Sequence, residues 1–136
     1  MNSKQVLLVT QDNKLAMTLS ANLTAQGMGT VVADDGAAAL STVRSAPPDL
    51  ILLDKEFPPQ AVGSVAWDAF LILTWLRRIE EARDVPVILL NQDSSPEVQE
   101  RAAAGGVTYV FPAPLQVDQL VATIAEVLAP TPVPAS

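Results

Sequence analysis

The sequence predicts a single α/β domain: a doubly wound sheet of five parallel strands in the order 2-1-3-4-5, with helices on both faces. Three observations carry this expectation. Five short runs rich in Val, Ile and Leu recur along the 136 residues without alternating with polar positions, the pattern of strands buried on both faces of a parallel sheet. Each run is followed by a segment of helical period, and five unbroken βα units favour such a sheet. The chain is also 49% hydrophobic, so at this length it can bury a core without disulfides or a structural metal.

The elements follow in order. Residues 5–10 form the first strand, and Leu15, Leu19 and Leu23 mark one face of a helix capped by Asp12 or Asn13 and stopped at Gly27. Residues 30–33 form the second strand. The second helix spans 36–45, with Asp35 as cap, Ala37, Leu40 and Val43 or Arg44 on one side, and Pro47-Pro48 as its end. Residues 50–54 give the third strand, and a long connection over 55–66 precedes a helix over 67–82. In that helix Phe70, Leu71, Trp75, Leu76 and Ile79 are in register for burial, and Trp67, Phe70 and Trp75 suit core packing. The fourth strand is 87–90; Ser95 caps the next helix, Pro96 takes its first position, and it runs to Gly105-Gly106. The fifth strand is 108–111 and the last helix 117–128, with Leu120, Val121, Ile124 and Leu128 facing in. The domain is thus expected over 1–129, with a disordered Pro-rich tail over 130–136.

Composition removes several function classes. There is no cysteine and no histidine, which excludes disulfides, thiolate or imidazole metal sites, Ser-His-Asp hydrolysis and phosphohistidine relay on this chain. A net charge of −7 opposes binding to nucleic acid or anionic lipid, so a protein partner is expected instead. The first apolar run covers only residues 6–9, and no stretch reaches the ~20 residues that span a bilayer. A cytoplasmic protein is expected.

In open α/β sheets ligands bind beyond the carboxyl ends of the strands, where the strand order reverses, here between strands one and three. The predicted topology delivers Thr10, Gln11 and Asp12 from the first strand and Asp54 from the third to that crevice. Asn91 and Gln92 arrive from the fourth, and Pro112, Ala113 and Pro114 from the fifth. Asp34 and Asp35 follow the second strand, away from the crevice, as turn and cap residues; Asp93, Ser94 and Ser95 read as loop and capping residues.

The runs VLLVTQDNKLAMTLSANL, PPDLILLDKEFPP, VPVILLNQDSS and GGVTYVFPAPLQVDQL occur in this order over about residues 5–128. Together they resemble the response-regulator receiver family. The most specific of them is an apolar strand preceded by Pro-Asp and ending in Leu-Asp-x-x-x-Pro, which falls on Asp54. The resemblance implies a flavodoxin-like, CheY-like fold and a place in two-component phosphorelay signalling. It implies Asp54 as phosphoacceptor. An acidic pair that helps hold Mg²⁺ in the family falls on Thr10 and Gln11, the hydroxyl position on Asn91, and the lysine on Ala113, next to Pro114. The aromatic switch position falls on Val110, with Tyr109 beside it, and the loop after strand three is longer than in the family.

These departures act in one direction. Carboxylate and phosphoryl donor are both anionic, so a metal ion and a cationic side chain must offset the charge. Mg²⁺ is usually held by at least one or two carboxylates; Asp54 and Asp12 could supply them, weakly if at all, and no cofactor is required. Asp12 reads more readily as a helix cap. Lys55 must leave the strand to reach the pocket. Asp54 itself has two readings, phosphoacceptor or a carboxylate that caps the following turn. Phe57 is either a partner contact or part of the core.

Three functions follow. One is a stand-alone pseudo-receiver that binds a protein partner. Another is an active atypical receiver phosphorylated on Asp54 by a histidine kinase. The third, a flavodoxin-like cofactor binder, lacks a glycine in residues 10–14 for a phosphate loop. An enzyme is not expected, because no nucleophile and base are paired. By the resemblance, the surface for a partner or a homodimer is around residues 96–128, with the 55–66 loop as an alternative contact.

Overall fold

The computed structural model describes residues 4–34, 36–54, 69–80, 85–91, 96–112 and 117–128. They form β1 (Gln5–Val9), α1 (Asn13–Ala25), β2 (Gly29–Ala33), α2 (Gly36–Ser45) and β3 (Leu50–Asp54), followed by α3 (Ala69–Leu76), β4 (Val87–Asn91), α4 (Pro96–Ala104), β5 (Tyr109–Pro112) and α5 (Val117–Leu128). The five strands pair in parallel in the order β2-β1-β3-β4-β5, as the sequence predicts. In register, Val9 lies opposite both Ala33 and Leu53, Asp54 opposite Leu90, and Asn91 opposite Pro112.

Strand alternation divides the core in two. Val6, Leu8, Leu50, Leu52, Ile88, Leu90 and Phe111 pack against Leu19 and Leu23 of α1 and Leu120, Val121 and Ile124 of α5. On the other face Leu7, Val9, Ile51, Leu53, Val87 and Leu89 pack against Ala39 and Val43 of α2, Ile72, Leu73 and Leu76 of α3, and Ala102 of α4. β1 and β3 run through the centre of both layers. Fixing them on two faces fixes where their carboxyl ends, and hence the crevice, must lie.

Helix ends follow their signals. Asp12 caps α1, its Oδ1 accepting the Leu15 N–H at 3.1 Å. Gly27 at φ 83° ends that helix, with the Gly27 and Met28 N–H groups donating to the Thr24 and Leu23 carbonyls. Gly106 at φ 79° ends α4 in the same way. The expected caps Asp35 and Ser95, the 55–66 connection with Phe57, Trp67, and the 130–136 tail lie outside the described residues.

Four expectations are corrected. β2 is not buried on both faces: Val31 and Val32 are 43% and 46% exposed, because β2 is an edge strand with one neighbour. Helix three stops at Leu76 rather than 82, since Arg78 and Ile79 donate to the carbonyls three residues back and tighten the last turn. Trp75 is 41% exposed, not core, with the Arg78 guanidinium 5.4 Å from its ring centroid. In α2 the buried pair is Ala39 and Val43, four residues apart, while Ala37 and Arg44 are exposed.

Candidate functional site

β1 and β3 are neighbours, and Val9 faces Leu53, so the next residues on the two strands, Thr10 and Asp54, meet at the sheet's carboxyl edge. The Thr10 hydroxyl donates to Asp54 Oδ2 at 2.8 Å. The Thr10 hydroxyl oxygen in turn accepts the Asp12 N–H at 3.0 Å, and the Thr10 N–H donates to the Ala33 carbonyl at 3.0 Å. Thr10 is 4% exposed, whereas Asp54 is half-buried.

Gln11 turns away from Asp54 and reaches the neighbouring loop, its Nε2 donating to the Asp34 carbonyl at 2.8 Å. Asp12 is exposed and engaged as the α1 cap. The structure therefore brings Thr10 and Asp54 together, places Asp12 within one hydrogen bond of Thr10, and commits Gln11 to the β2 side. Asn91 closes β4 in register with Pro112 of β5. Gln92, Ala113, Pro114 and Lys55 lie outside the described residues.

Val110 and Tyr109 stand on opposite faces of β5. Val110 packs against the cluster of α2, α3 and α4, whereas Tyr109 lies 6.1 Å from the Phe111 ring, on the α1 and α5 side. Tyr109 is 48% exposed and does not take Val110's place. Alternation along a strand makes that substitution impossible without a change of register.

Two contacts escaped the sequence reading. Thr10's bond to Asp54 could have been found by extending the predicted β1 and β3 pairing one residue past each strand. The other is Arg77, at the opposite end of the sheet. Its guanidinium donates to the carbonyls of Val85 at 3.2 Å, Gly105 at 3.1 Å and Gly106 at 2.8 Å, on the lip of an open groove also lined by Pro86 and Thr108. Backbone acceptors leave no mark in a sequence.

A five-stranded sheet in this order, with an aspartate at the carboxyl end of β3 facing the β1 end, defines a receiver-type domain of signal transduction. The comparisons with known proteins agree: the family model described as the response regulator receiver domain matches residues 6–125, and the chain belongs to that family. It is 32% identical over 127 residues to the polar-differentiation response regulator DivK of Brucella ovis, covering 93% of this chain and 97% of that one. The structure of chemotaxis protein CheY4 of Vibrio cholerae superposes with a TM-score of 0.82 at 25% identity, covering 93% of this chain and all of that one. A response regulator structure from Chloroflexus aurantiacus, at 20% identity and a TM-score of 0.79, shares the fold.

Proposed function

We propose that the chain is a pseudo-receiver: a stand-alone receiver-like domain of two-component or phosphorelay signalling that acts by binding a protein partner, with weak or no Mg²⁺-dependent phosphorylation. The observation that supports this most is the 2.8 Å bond from the Thr10 hydroxyl to Asp54 Oδ2. A neutral donor serves the carboxylate at a position where the family has an acidic residue. Mg²⁺ is a hard cation that seeks several oxygen ligands, usually with at least one or two carboxylates. Among the described residues no group of three or more Asp, Glu, His or Cys could hold a metal ion, and the Asp12 carboxylate is engaged in capping. These residues do not fit the ion well, and the sequence carries Ala113 where the family's lysine would offset phosphoryl charge.

A second reading keeps one observation in its favour. Asp54 stands at the end of β3 half-buried rather than sealed in the core, as an active atypical receiver phosphorylated by a histidine kinase requires. The two readings separate on one experiment. In the proposed case, the amide spectrum of the protein with Mg²⁺ and beryllofluoride matches the spectrum without them. Chemical-shift changes around Asp54 and β4 that vanish in Asp54→Asn would establish the active reading instead.

The partner is a protein, a histidine kinase or a downstream signalling protein, and the favoured surface spans 96–128, where a homodimer would also form. Tyr109, 48% exposed on β5, gives that surface an aromatic contact. Nucleic acid and membrane are not partners in this reading, which is that of a cytoplasmic, non-enzymatic protein. No described helix is long and apolar enough to cross a membrane.

A further inference from the structure

We propose that Thr10 is a positioning residue that couples the charge state of Asp54 to the start of α1. The proposal deepens the pseudo-receiver reading and rests on it in one respect, that Thr10 rather than a metal ion serves the Asp54 carboxylate. A threonine hydroxyl has one proton and two lone pairs. Here the proton goes to Asp54 Oδ2 at 2.8 Å and one lone pair receives the Asp12 N–H at 3.0 Å. Asp12 is the N-cap of α1, extended at φ −83° and ψ 98°, and its own carboxylate holds the Leu15 N–H. A continuous chain therefore runs from the β3 carboxylate through the β1 hydroxyl to the cap amide and the first turn of the helix.

Charge gives the chain a direction. A hydrogen bond to an ionised carboxylate is roughly twice as strong as one between neutral groups, and consecutive bonds polarise one another. Neutralising Asp54 weakens Thr10's donation, frees its hydroxyl to rotate, and loosens the Asp12 amide. Thr10 is 4% exposed, so water has little access to replace the lost partner. The element at the receiving end is α1, which packs on α5 through the Leu19 and Leu23 side of the core. That route bypasses Asn91 and Val110, the positions where the family's hydroxyl and aromatic are missing.

The test is amide hydrogen exchange on the full chain without metal, comparing wild type with Thr10→Val, Thr10→Ser, Asp54→Asn and Asp54→Ala. Thr10→Val speeds exchange of the Asp12 amide on the order of tenfold, while the α5 amides keep their rates. Both Asp54 variants accelerate the same amide by a smaller factor although neither residue touches it, and Thr10→Ser keeps the wild-type rate. An Asp12 amide that ignores both Asp54 variants overturns the proposal, whatever Thr10→Val does, and so does a Thr10→Ser protein that exchanges like Thr10→Val. If Thr10→Val does not fold, the Asp54 pair and Thr10→Ser decide. Mg²⁺ or phosphoryl binding at Asp54 would sink the pseudo-receiver reading without moving these metal-free rates. An unmoved Asp12 amide would sink the coupling and leave that reading intact.

Discussion

The two ends of the sheet use opposite charges for the same task. At the carboxyl end an anion, Asp54, accepts from a buried hydroxyl and so ties β3 to β1 and to the α1 cap. At the amino end a cation, Arg77, donates to three carbonyls and so ties the end of α3 to the loops before β4 and β5. The difference lies in what each leaves available. Arg77's fork is spread over backbone acceptors, a structural use, and it sits at the far end of the sheet from the crevice, where a cation would have offset phosphoryl charge. Asp54 is half-buried at the crevice and takes its bond from a neutral hydroxyl, that of Thr10.

Breaking the amino-end clip should have the largest effect. Arg77→Ala leaves three carbonyls without their charged donor and should cost about 2–4 kcal/mol, read from urea unfolding as a lower midpoint with an unchanged slope. Arg77→Lys should recover only part, because an ammonium cannot span the three acceptors as a fork does. At the carboxyl end Thr10→Val should cost about 1–2 kcal/mol in the same assay, since it removes the acceptor of the Asp12 N–H and a donor to the Asp54 carboxylate. Asp12→Ala should cost about 1 kcal/mol through loss of the α1 cap, with helix content falling at the start of α1 alone. The smallest effect belongs to Trp75→Ala, at about 0.5–1 kcal/mol, because the side chain is part-exposed and its contact with Arg78 is a surface cation–π pair. A Trp75→Ala cost as large as that of Arg77→Ala would mean that the exposed tryptophan belongs to the core after all.

The legible parts of the fold were those fixed by a repeating pattern. β3 is a run of Leu and Ile buried on both faces and ending in an aspartate, and the α5 stripe of Leu120, Val121 and Ile124 marks its own buried side. Both came out of the sequence with the bounds they have in the structure. Position within the sheet was harder to read. Val31 and Val32 look like core by type, and only the edge location of β2 exposes them. Trp75 flanks the stripe of Ile72, Leu76 and Ile79, and hydrophobicity alone does not tell flank from centre. At the site, Asp54 announced itself by a local motif, whereas its bond to Thr10 joins residues 44 positions apart and depends on strand register. Capping was the better of the two readings offered for Asp12, because the start of a helix is a local matter.

The central claim is that Asp54 sits in a pocket unsuited to a metal ion and a phosphoryl group. Its most direct test is the intact mass of the protein after incubation with Mg²⁺ and a small phosphodonor such as acetyl phosphate, beside an active receiver domain treated identically. The account predicts that the active domain gains the mass of one phosphoryl group while this chain keeps its own. A matching gain here, absent from Asp54→Asn, would contradict it.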